Sequence, residues 1–103
     1  MGLDFCIIGT SGFPIMEVTI WLTDQEKILA FSTTNEIPLL NRVKDYYTDI
    51  VFLPEEIELL KREISDIILT AQNDKKFYLK LRKLKKLCTE AIKLKTGIIA
   101  IAD

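Results

Sequence analysis

The chain has 103 residues, 49% of them apolar, 9% aromatic and 28% charged, with 14 basic against 15 acidic groups and a formal net charge of −1. Such a chain is read as one domain, residues 1–103, because it can bury roughly two-thirds of the surface its unfolded form exposes without metal or disulfide staples. Its Ile and Leu content excludes disorder, its four Gly and three Pro exclude collagen-like and low-complexity classes, and no apolar run approaches the roughly 20 residues of a membrane span, which predicts a water-soluble protein.

At the start, Asp4 interrupts what would be the apolar part of an export signal, and Cys6 stands where a myristoylation signal carries Ser or Thr. Neither export nor lipidation is expected, and a reducing, cytoplasmic location follows, with Cys6 and Cys88 as small buried hydrophobes. Leu3 to Ile8 is apolar on both faces except at Asp4, the pattern of a central strand covered on two sides. Ile15 to Leu22 alternates, with Met16, Val18, Ile20 and Leu22 on one side and Glu17, Thr19 and Trp21 on the other, a half-buried strand. The link Gly9 to Pro14 suits a hairpin and antiparallel pairing. Gly9-Thr10-Ser11-Gly12 has the look of a phosphate-cradling turn, but a strand rather than a helix follows it, and a P-loop Lys and a third dinucleotide-fingerprint Gly are missing.

Thr23 and Glu26 have capping-box spacing, predicting a helix over 24–31; Thr33 and Glu36 repeat it, and with Pro38 in a first turn they predict a second helix to about Tyr46. Asp49 to Leu53 reads equally as an extended link or a short strand. From Pro54, Ile57, Leu60, Ile64, Ile67, Ile68 and Ala71 recur at three- and four-residue steps while Glu55, Glu56, Glu58 and Glu63 stay off that stripe, an amphipathic helix with acids at its positive end. Asn73 or Asp74 caps another, with Phe77, Leu81, Leu84, Leu87, Cys88, Ala91 and Leu94 as its apolar face and Gly97 as its end. Ile98 to Ile101 reads as a last strand beside the first. The expected architecture is α+β: a three-stranded, mainly antiparallel sheet in the order 2-1-3, with about four helices, the two long ones packed on one face.

There is no histidine, which removes the commonest general base and metal ligand and with it the usual Ser and Cys hydrolase triads. No catalytic constellation, metal site or cofactor site is expected. An enzyme subunit would have only the Gly9 to Gly12 loop to offer. Charge is segregated: residues 1–74 carry 13 acids and five bases, residues 75–103 nine bases and two acids. The plain account is that two amphipathic helices complement each other. If the acidic part acts on a partner, that partner is a basic protein surface. Asp45, Asp49, Glu55, Glu58 and Asp66 are then the candidate partner-binding acids, with Tyr46 and Tyr47, and also Trp21, as aromatic anchors. If the basic helix over 75–95 acts, nucleic acid is the first candidate.

A small, histidine-free α+β chain with acids spread over two helices and no catalytic constellation resembles the immunity proteins of bacterial toxin–immunity systems, including contact-dependent growth inhibition. The Met1-Gly2-Leu3-Asp4 opening followed by a strand is also similar to that of several small bacterial proteins. The resemblance implies a non-catalytic, stoichiometric inhibitor that binds a cognate toxin domain, often a basic nuclease, at or beside its active site. It assigns no role to any individual residue.

Overall fold

The computed structural model describes residues 2–8, 17–45 and 47–102. The expected turn at Gly9 to Gly12, Ile15, Met16 and the candidate anchor Tyr46 lie outside the described residues. The elements run β1 (Leu3–Ile7), β2 (Glu17–Ile20), α1 (Leu22–Ser32), a 3-10 turn (Leu40–Lys44), β3 (Ile50–Phe52), α2 (Ile57–Thr70), α3 (Lys75–Lys93) and β4 (Ile98–Ala102). Among the described residues the sheet has four strands, not three, in the order β2-β1-β4-β3, and each of their pairings is antiparallel. β1 is central, as its apolar composition requires, with Phe5 opposite Val18 on one side and Ala100 on the other.

The additional strand is the ambiguous 49–53 segment. Ile50 and Phe52 turn into the core while Val51 faces outward, a period of two over only three residues, too short to stand out in the sequence. Asp49 accepts a hydrogen bond from the Ala102 backbone N–H at 2.9 Å, which ties the start of β3 to the end of β4. The Arg42 guanidinium donates to the Val51 carbonyl at 3.0 Å and to the Glu56 carboxylate, so the β3 edge is capped by a charged side chain.

Among the described residues the helices lie on one face of the sheet, so the expected cover of β1 on both faces is seen on one. Leu3, Phe5 and Ile7 are buried beneath them, whereas Asp4 and Cys6 are half-buried on the opposite face, where Asp4 accepts from the Thr19 hydroxyl at 2.7 Å. The expected contacts between α2 and α3 are present: Ile57, Leu60, Ile64, Ile67, Leu81, Leu84 and Cys88 are all buried in one core. Burial pushes the Cys88 thiol up to about 12. Ile98 and Ala100 of β4 join that core.

Four local expectations are corrected. First, α1 starts at Leu22 instead of Asp24, because the Asp24 carboxylate, not a Thr23 hydroxyl, serves the first turn, accepting from the Trp21 backbone N–H at 3.0 Å. Leu22 consequently leaves the inner face of β2 and is 49% exposed. Second, Thr33 caps no new helix: its hydroxyl donates to the Ala30 carbonyl and finishes α1. The predicted helix from Pro38 to Tyr46 is reduced to the 3-10 turn, consistent with buried Ile37, Leu40 and Val43 recurring every three residues, the period of a 3-10 helix.

Third, Glu63 is not on the solvated face of α2. It is 2% exposed, and its carboxylate accepts the Leu39 N–H at 3.2 Å and the Leu40 N–H at 2.8 Å, capping the 3-10 turn from a helix 23 residues downstream. Burial raises its pKa above the ordinary glutamate value, against the opposing pull of those two N–H groups. Fourth, α3 is not ended by Gly97. Lys95 adopts φ 56°, and the Lys95 and Thr96 N–H groups return to the carbonyls of Ile92 and Ala91 at 3.1 and 3.0 Å, a Schellman closure. Leu94 is thereby left exposed. Gly97 serves a different need: a Cβ there would lie 2.3 Å from the Phe52 carbonyl oxygen.

Candidate functional site

The sequence-predicted acids are all exposed, and Glu55 and Glu58 line one cleft. Asp45, Tyr47 and Asp49 lie in the link between the 3-10 turn and β3, Glu55 precedes α2, and Glu58 and Asp66 lie on α2. At 100° per residue, Glu58 and Asp66 differ by about 80° around the helix. Glu58 borders clefts shared with Lys61, Arg62, Lys85 and Lys95, while Asp66 is close enough to Glu63 to raise its pKa. Asp49 is engaged with β4. Bases therefore stand beside Glu55 and Glu58 in these clefts.

Sequence segregation of charge is partly closed within the fold, but not between the two long helices. Lys80 of α3 pairs with the buried Asp24 of α1 at 2.5 Å. Lys27 of α1 pairs with Asp74, the α3 N-cap, and stands 5.3 Å over the Phe77 ring. Arg42 pairs with Glu56 at 2.5 Å, holding that carboxylate below its usual range. Among the described residues, no ion pair joins α2 to α3.

What remains is a basic groove on the outer side of these two helices, with a volume of about 760 Å³. Lys61 and Ile68 of α2 form one wall; Tyr78, Leu79, Arg82, Lys83, Lys85, Lys86 and Thr89 of α3 form the other. Its shape follows from local structure. The buried stripe of α3 is Phe77, Leu81, Leu84, Leu87, Cys88 and Ala91, so residues 79, 82, 83 and 86 are turned away from the core. Arg82 donates to the Tyr78 hydroxyl at 3.2 Å and lies 5.8 Å over its ring, one turn apart on the helix. Lys61, Arg82, Lys83, Lys85 and Lys86 form no ion pair among the described residues. Leu79 is 47% exposed.

The sequence named the basic helix as a candidate but did not single out Leu79 on it, nor Ile68 and Lys61, which join it only because α2 folds back beside α3. The signal for Leu79 was present: it falls outside the buried stripe of α3. Among the described residues no group of three or more His, Cys, Asp or Glu is placed to hold a metal ion, and no helix is long and apolar enough to cross a membrane. No family model, curated protein or solved structure matches the chain.

Proposed function

We propose that the chain is a non-catalytic protein-binding inhibitor that acts by stoichiometric complex formation, with the α2–α3 groove as its binding face. The observation that supports this reading is the groove itself, in which five cationic side chains without ion-pair partners among the described residues flank the exposed Leu79 and the half-buried Ile68. Clustered like charge repels itself, and a partner carrying carboxylates relieves the repulsion while covering Leu79 and Ile68. In the immunity-protein form of this reading, the partner is a cognate bacterial toxin domain, and the chain occupies its active site or an adjoining surface from within the cytoplasm.

Co-purification with the product of the adjacent reading frame tests it. The expected result is a one-to-one complex whose affinity falls about tenfold or more in Lys83→Glu with Lys86→Glu, since charge reversal turns attraction into repulsion. The triple variant Glu55→Lys, Glu58→Lys and Asp66→Lys is expected to bind as the parent does. Loss in the triple variant alone would move the binding face to Asp45, Tyr47, Asp49, Glu55, Glu58 and Asp66 and make the partner a cationic protein such as a basic nuclease. Absence of any one-to-one complex would refute the inhibitor reading. A second reading, nucleic-acid binding through residues 75–95, is favoured by the exposed cations of α3 and would be supported by affinity that falls steeply with salt.

A further inference from the structure

Resting on the binding role proposed above, we infer that the α2–α3 groove takes an acidic peptide segment of a partner protein, led by one apolar side chain. The groove is not uniform along its length. Residues 71–74 join the helices, so the end of α2 and the start of α3 share one end of the molecule, and there Ile68, Tyr78 and Leu79 supply the apolar surface. Away from that end, Arg82, Lys83 and Lys86 follow Leu79 at steps of three, four and seven residues, on the same side of α3. At 1.5 Å per residue the cations begin about 5 Å and end about 10 Å beyond the leucine. A complementary segment therefore carries one apolar anchor and then carboxylates over the next two turns.

A polyanion of uniform charge fits this surface less well. It offers nothing to the apolar end, and it meets Glu58 beside Lys61 and Lys85, and Glu90 one turn beyond Lys86. A peptide places its carboxylates only where the cations are, and Arg82, which spends one donor on Tyr78, keeps its other guanidinium donors for them.

The test uses the full chain and a fluorescent, end-capped alanine-based peptide bearing one Leu followed by Glu at three, four and seven residues. Three controls are compared: the peptide with Leu replaced by Ser, the peptide with every Glu replaced by Lys, and a single-stranded oligonucleotide of similar length. Anisotropy titration is expected to show binding of the Leu/Glu peptide that weakens several-fold as salt rises from about 50 to about 200 mM. Lys83→Glu with Lys86→Glu should weaken it by about tenfold or more. Leu79→Ser should remove the preference for the Leu-bearing peptide while leaving the salt dependence intact. Failure of the acidic peptide to bind at low salt, with circular dichroism of the chain unchanged, would overturn the inference. So would equal affinity for the Leu-less peptide, or tighter binding of the oligonucleotide. Capture of the adjacent gene product by a chain that ignores the peptide would sink this inference and spare the inhibitor reading. Peptide binding without any captured partner would do the reverse.

Discussion

Glu63 offers the sharpest test of how this fold is held together, because one side chain of α2 completes an element that precedes it by more than 20 residues. Replacing it with Leu leaves the Leu39 and Leu40 N–H groups buried with no acceptor. An unsatisfied buried donor costs about 1–3 kcal/mol, so the pair sets an expected loss of about 2–5 kcal/mol, with part recovered by the added apolar surface. Glu63→Gln keeps one acceptor oxygen but turns an amide toward the second N–H, and is expected to cost about 1–3 kcal/mol. Urea unfolding followed by circular dichroism measures both. A pH series adds a sign. Burial raises the folded-state pKa of Glu63 above its unfolded value, so the folded state holds the proton more tightly. The contribution of this group is complete below the unfolded pKa and declines as pH rises through the raised folded one. The stability gap between the parent and Glu63→Gln should therefore narrow as pH climbs from about 4 toward neutrality. A gap that widens instead would mean that the two N–H groups outweigh desolvation, and a Glu63→Leu variant as stable as the parent would refute the capping role altogether.

Gly97→Ala should destabilise by about 1–3 kcal/mol, seen as a lower thermal midpoint, because its methyl group would sit 2.3 Å from the Phe52 carbonyl and force β3 from β4. Lys95→Gly should raise stability by about 0.5–1 kcal/mol in the same assay, since φ 56° strains a residue with a Cβ and not glycine. An unchanged or lower midpoint would contradict that assignment. Cys88, fully buried with its thiol pushed up to about 12, should resist iodoacetamide at neutral pH in the folded chain and react on unfolding in urea, as mass mapping would report.

Apolar periodicity determined α2 and α3 and most of the residues they bury, with Glu63 and Leu94 as exceptions, while the short Gly9 to Pro14 link and the apolar runs of the first and last strands gave the neighbours of β1. A helix of 14 or 19 residues repeats its stripe several times, so the pattern outweighs any one misplaced residue. Short elements carry no such redundancy. The three residues of β3 became a strand because Ile98 to Ala100 of β4 pair with them, with Arg42 capping the edge. The segment after Pro38 became a 3-10 turn capped by a side chain that sequence spacing placed in solvent. The distribution of charge divided in the same way. Its segregation toward residues 75–103 was legible from composition. Which cations are neutralised was not, because Lys80 and Lys27 find their acids across α1, α3 and the turn before α3, and such pairings depend on helix packing rather than separation along the chain. The groove is the product of both levels: Leu79, Arg82, Lys83, Lys85 and Lys86 lie on α3 and are legible as its outer side, whereas Lys61 and Ile68 join them only because α2 packs against α3.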